Sequence, residues 1–109
     1  MKLIVAIIQE KDEKRLSQAF LDNDIRATKL SSTGGFLRAG NATFLIGIED
    51  DAVEAVLDVI RKSSQTREQF VSTSGNLDIG MDLTSAMQVK VKVGGAIVFV
   101  LPVDSFYKF

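Results

Sequence analysis

The sequence predicts an α+β sandwich in which one antiparallel sheet carries two helices on a single face, in the order β-α-β-β-α-β. Three observations lead to it. The chain opens on a β-branched apolar run, Leu3-Ile4-Val5-Ala6-Ile7-Ile8, closed by the polar Gln9. Val53, Val56, Leu57 and Ile60 fall at i, i+3, i+4 and i+7, the spacing of one helix face. Residues 87–93 alternate as Met-Gln-Val-Lys-Val-Lys-Val and lead through Gly94-Gly95 into a second apolar run.

Taken in order, residues 2–9 form a fully buried strand, because an apolar run of that length is too short for a buried helix and is rich in β-branched side chains. Residues 12–22 form a short amphipathic helix, with Leu16, Ala19 and Phe20 at helical spacing among Lys11, Glu13, Lys14 and Arg15. Asn23-Asp24 ends it. Residues 25–32 suit a second strand, which puts Arg26, Thr28 and Leu30 on one face and Ile25, Ala27 and Lys29 on the other. Gly34-Gly35 breaks that pattern, residues 36–41 are a loop or short extension, and residues 42–48 are the third strand. Asp50 or Asp51 is the expected N-cap of the second helix, which ends near residues 63–65 with Arg61 and Lys62 in its last turn. Residues 68–72 form a brief strand. Residues 73–86, with two glycines, two aspartates and no strong period, are expected to be a long mobile loop. The alternating residues 87–93 read as a half-exposed strand, and Gly94-Gly95 as the turn of a hairpin into a buried run over 96–103.

This is the split βαβ, or ferredoxin-like, plan, with extra short strands. The sheet face without helices would keep apolar residues of the Leu3-Val5-Ile7 or Ile4-Ile8 rows and of residues 98–100, so symmetric self-association is expected to cover it. The 109 residues contain no linker-like stretch, so one domain over 1–109 is expected. Thirteen basic and fourteen acidic residues leave a charge of -1, which argues against a nucleic-acid polymer or an anionic membrane as partner and requires any bound anion to be held locally. The chain has neither cysteine nor histidine. Disulfides, thiolate metal sites and imidazole or thiol catalysis are thereby excluded, and an enzyme is not expected. The acidic residues of 10–14 read as a solvated helix face and Glu49-Asp50-Asp51 as a helix start, so no metal or cofactor is expected. The apolar start is too short for a signal peptide or a membrane span, which points to a cytoplasmic protein without membrane insertion.

Residues 23–47 concentrate a different chemistry. A phosphodiester calls for a guanidinium fork and for backbone N–H groups that can approach it closely, which Arg26 and Gly34-Gly35 supply. A purine calls for an apolar slab and for an amide or hydroxyl on its edge, which Phe36-Leu37 and Asn41 with Thr28 supply. Each group has a plainer alternative: Gly-Gly as a turn, Phe-Leu as core, Asn after Gly as a turn former. The segment is not a Walker A loop, since Gly40 is followed by Asn41 rather than by Lys and Ser or Thr.

The string R-A-T-K-L-S-S-T-G-G-F-L-R-A-G-N-A-T-F-L-I-G over residues 26–47 resembles the signature of the PII-like cyclic di-AMP receptors of the PstA or DarA type. The opening M-K-L-I-V-A-I-I-Q, the R-E-Q-F-V-S of residues 67–72, the V-G-G-A-I-V-F-V-L-P-V of residues 93–103 and the aromatic Phe109 extend the resemblance over the whole chain. It implies a ferredoxin-like homotrimer with inward-facing sheets, ligand sites in the clefts between subunits, and long loops that present the signal to a downstream protein. It further implies that cyclic di-AMP is read by Arg26, Thr28, Gly35, Phe36, Leu37, Asn41, Gly47 and Phe99. Asp24 stands where such proteins usually carry Asn, and a carboxylate there repels a phosphodiester unless it faces an adenine amino group. Lys108 stands where they tend to place Gln, and either reinforces phosphate binding or lies in water. Residues 73–86 lack the expected prolines and tyrosines, which implies a different partner, or a divergent paralogue that binds cyclic di-AMP weakly, takes another adenine nucleotide or works as a ligand-independent interaction module.

Overall fold

The computed structural model describes residues 1–30, 40–72 and 88–109. In chain order the elements are β1 (Lys2–Gln9), α1 (Glu13–Asp22), β2 (Thr28–Leu30), β3 (Asn41–Ile48), α2 (Val53–Ser64), β4 (Arg67–Ser72), β5 (Gln88–Val93) and β6 (Ala96–Pro102). Four strands form one sheet in the order β2-β3-β1-β6, and every neighbouring pair in it is antiparallel. With α1 and α2 packed on one face, this is the α+β architecture expected from the sequence, compatible with the ferredoxin-like, PII-like plan.

The register of β1 places the core. Ile4, Ala6 and Ile8 lie opposite Ile46, Phe44 and Ala42 of β3, and all six are buried. Because side chains alternate along a strand, these residues share the face that meets the helices. Leu16 and Phe20 of α1 and Val56 and Ile60 of α2 close over them. Phe20 meets Phe44 edge to face, with ring centres 5.5 Å apart. The other face carries Leu3, Val5 and Ile7, with Ile97, Phe99 and Leu101 alongside on β6. Ile97 and Phe99 remain more than half exposed.

The turn after α1 has the hydrogen bonds of a Schellman motif. The Ile25 N–H donates to Phe20 O at 2.8 Å and the Asp24 N–H to Leu21 O at 3.1 Å, while Asp24 takes a φ of 56°. Ile25 then packs against the core beside Phe20, and the chain leaves the helix towards β2.

Four local expectations are corrected. Gly94 and Gly95 both take positive φ, as in a two-residue hairpin turn, yet β5 and β6 do not pair. Strand β6 pairs with β1 over seven positions, whereas the Lys-bearing β5 pairs with β4, from Arg67 opposite Val93 to Ser72 opposite Gln88. The apolar segment takes the central partner and the half-polar one forms a separate two-stranded arm. Second, residues 96–102 are mostly exposed in the single chain rather than buried, because only their edge and one face meet other elements. Third, neither Asp50 nor Asp51 caps α2 through its side chain; Asp50–Ala52 is a 3-10 turn, and Asp50 accepts the Met1 ammonium at 2.8 Å. That hydrogen bond holds the Asp50 carboxyl below its ordinary range. Fourth, Asp12 lies on no solvated face but is wholly buried.

The segment 73–86, expected to be a loop, lies outside the described residues. Among the described residues no helix is long and apolar enough to cross a membrane. Phe44→Ala removes one ring of the aromatic pair at the centre of the core, and urea unfolding is expected to show a loss of about 3–5 kcal/mol.

Candidate functional site

A cavity of about 880 Å³ lies where the end of α1, residues 24–29, β3 and the C-terminal segment meet. Its wall includes Asp24, Arg26, Thr28, Gly47 and Phe106. Each arrives there for a local reason. The Schellman turn fixes Asp24 and directs residues 25–28 alternately inward and outward: Ile25 and Ala27 pack on the core, whereas Arg26 and Thr28 are exposed. Thr28 pairs with Leu45 in the ladder, which puts it on the helix-free face together with Gly47, two residues further along β3.

Among the described residues Arg26 makes no hydrogen bond or ion pair. Lys29, which also lines the cavity, is held by Glu13 at 3.0 Å. The cavity therefore offers one guanidinium fork that no carboxylate among the described residues occupies, with Asp24 two residues away on the same wall. At Gly47 a Cβ would meet nothing within 4 Å, and its φ is not in the left-handed region. The fold does not need glycine there. What glycine does is leave bare backbone on the open face, where a ligand can approach the main chain.

The other candidate residues are spread across the sheet. Phe99 pairs with Val5, Val5 with Leu45, and Leu45 with Thr28, so Phe99 and Thr28 stand in one row on one face but at opposite sheet edges. Three strand spacings separate them, roughly 14 Å. Asn41 begins β3 opposite Gln9, six residues from Gly47 or roughly 20 Å along the strand. It lines a smaller groove with Gln9, Thr66, Gly94 and Ile97. Lys108 is exposed in the segment after β6. Gly35, Phe36 and Leu37 lie outside the described residues. The cavity thus unites Asp24, Arg26, Thr28 and Gly47 but includes neither Asn41 nor Phe99.

Phe106 was not singled out by sequence reasoning. It follows β6 after a short irregular stretch, lines the cavity with Arg26, and is 63 % exposed. The available signal was the cluster of Phe106, Tyr107 and Phe109 in a charged, turn-like tail, too apolar to be spent on solvent. Tyr107 and Phe109 stack on each other at 6.2 Å, which leaves Phe106 for the cavity. Among the described residues no cluster of acidic side chains could hold a metal ion.

The fold thus brings a guanidinium, bare backbone and an exposed aromatic to one cavity of an α+β sandwich. Comparison with known proteins gives the family. The family model described as cyclic-di-AMP receptor matches residues 1–109. The chain belongs to the cyclic-di-AMP receptor family, as its 26–47 segment led one to expect. It is also similar to a solved structure of a functionally unknown protein from Pediococcus pentosaceus ATCC 25745, with 51 % identity, a TM-score of 0.76, and 99 % of this chain and 96 % of that one covered.

Position 24 separates the backbone role from the charge. Asp24→Asn is expected to leave thermal stability within about 0.5 kcal/mol of the parent, since Asn tolerates positive φ, whereas Asp24→Val is expected to cost about 1–2 kcal/mol. Calorimetric melting of the two variants checks it.

Proposed function

We propose that this chain is a cytoplasmic, non-catalytic receptor that binds cyclic di-AMP in the clefts between the subunits of a homotrimer and passes the signal through its loops to a protein partner. The observation that carries the reading is Arg26, a guanidinium without a protein partner among the described residues, at a cavity whose wall is bared at Gly47. Arg26 forks onto a phosphodiester of the ligand. Gly35 and Gly47 let the main chain approach it, Thr28 and Asn41 read adenine edges, and Phe36, Leu37 and Phe99 provide apolar slabs. Asp24 accepts from an adenine amino group, and Lys108 supplies a second cation. No metal or other cofactor takes part.

The division of the site supports the trimer. Thr28 and Phe99 occupy opposite edges of one sheet face, so they meet at a single ligand only if edges of neighbouring subunits are brought together. Ile97, Phe99 and Leu101 leave that face apolar and exposed in the isolated chain, and a symmetric assembly with inward-facing sheets covers it. Asp24 favours a second reading. Its carboxylate stands on the same wall as Arg26, and if it faces the phosphates the chain is a divergent member that takes another adenine nucleotide or works as a ligand-independent interaction module.

Titration calorimetry with cyclic di-AMP, with ATP, AMP and cyclic di-GMP as controls, decides between the two. Saturable binding of cyclic di-AMP at low micromolar concentration or below is expected, together with a light-scattering mass of three chains; no heat at high micromolar ligand removes the receptor reading. Arg26→Ala is expected to lower affinity about ten- to a hundredfold, the worth of one charge-assisted contact at about 1.5–3 kcal/mol. An unchanged affinity places the phosphate elsewhere.

A further inference from the structure

Asp12 is the only wholly buried charged side chain among the described residues, and it takes no part in the cavity. Both its oxygens accept from Arg67, the first residue of β4: Oδ1 from Nη2 at 2.7 Å and Oδ2 from Nη1 at 3.3 Å. The hydrogen bonds to Asp12 hold the Arg67 guanidinium above its usual range. Three residues earlier, Gln9 Oε1 accepts the Gly94 N–H at 2.7 Å. Arg67 and Gly94 form the root of the arm, one on each side: Arg67 opens β4, and Gly94 follows the last residue of β5. The root is tightly built. A side chain at Gly94 would run into the Arg67 guanidinium and lie 2.8 Å from Gln65 O, and the Gly95 N–H donates to Ser64 O.

The same turn is gripped from its other side. The Glu10 N–H donates to Gly40 O at 2.8 Å, and Gln9 pairs with Asn41 in the β1–β3 ladder. Gly40 and Asn41 are where the chain re-enters the sheet from the β2–β3 connection. Residues 9–12 therefore touch the start of β3 on one side and the arm on the other. Among the described residues the arm shares no strand ladder with the four-stranded sheet, and it meets the body through this junction and the Gly95–Ser64 hydrogen bond. An ion pair buried on one side only is a weak source of net stability, but it fixes geometry, because the enclosed Asp12 carboxylate has no water to turn to when the fork leaves.

We propose that residues 9–12 form a coupling clasp, in which Gln9 and Asp12 act as positioning residues that transmit a displacement of Gly40–Asn41 on ligand binding to the root of the β4–β5 arm. The relay rests on the receptor reading above; the clasp itself does not. Coupling of this kind requires that the ligand prefer one of two settings of the junction.

Hydrogen exchange by mass spectrometry on the full chain tests it, with and without saturating cyclic di-AMP, in the parent, in Gln9→Leu, and in the double variant Asp12→Asn with Arg67→Gln. The double variant removes both charges and so strands neither, and Gln9→Leu attacks the junction without touching the pair. Without ligand, exchange over residues 66–70 and 92–95 is expected to rise about tenfold in both variants while β1, β3 and the helices stay as in the parent. With ligand, the parent is expected to change at least about threefold over those residues and the variants not to, their affinities remaining within about threefold of the parent. Unchanged arm exchange in the ligand-free variants overturns the clasp. A parent that binds without any arm response, or variants that keep the response, overturn the relay. A parent that takes up no cyclic di-AMP removes the receptor reading and the relay together, and the ligand-free comparison still decides the clasp.

Discussion

The pairing of β1 on both of its edges is the constraint from which the rest follows. Its side chains alternate between two faces, and the register with β3 and β6 assigns Ile4, Ala6 and Ile8 to the helices and Leu3, Val5 and Ile7 to the open side. A slip of one residue would exchange the two sets and leave Leu16, Phe20, Val56 and Ile60 without partners. The same register sets where the candidate residues stand, because Thr28, Leu45, Val5 and Phe99 form one row across the open face.

Around that sheet the polar groups are placed by local chain geometry. The Schellman turn ending α1 seats Ile25 in the core and puts Asp24, Arg26 and Thr28 on the cavity wall. Position 24 thus has two roles in tension: its positive φ suits Asp or Asn, while its charge bears on any anion held by Arg26. At Gly47 the reasoning runs the other way, since neither φ nor internal packing calls for glycine and only the open face gains from it.

The arm shows how an ordinary folding rule can be satisfied locally and fail in the tertiary structure. Gly94 and Gly95 adopt the positive φ values of a hairpin turn, but β1 offers the apolar β6 a longer and better-matched partner than β5 can. Once β6 is taken, β5 finds β4, and the junction between the two sheets becomes the place where Gln9, Asp12 and Arg67 meet. Residues 10–14 are all charged, a pattern that predicts a solvated Asp12; its burial goes with Arg67, 55 positions away, which no local pattern reveals.

The sequence by itself determined which segments become the central elements, β1 by its β-branched run and α2 by Val53, Val56, Leu57 and Ile60, and it marked a candidate ligand segment by the closeness of Arg26, Thr28 and Asn41. These rest on periods of two and 3.6 residues and on residue chemistry, all of them short-range quantities. Only the tertiary structure decided that Arg26 and Gly47 share a cavity with Phe106 while Asn41 stands at the far end of β3 and Phe99 at the opposite edge, and that β5 belongs to an arm. Strand pairing and register join residues far apart in the chain, and they are chosen by competition among all strands for the same edges, which no single segment encodes.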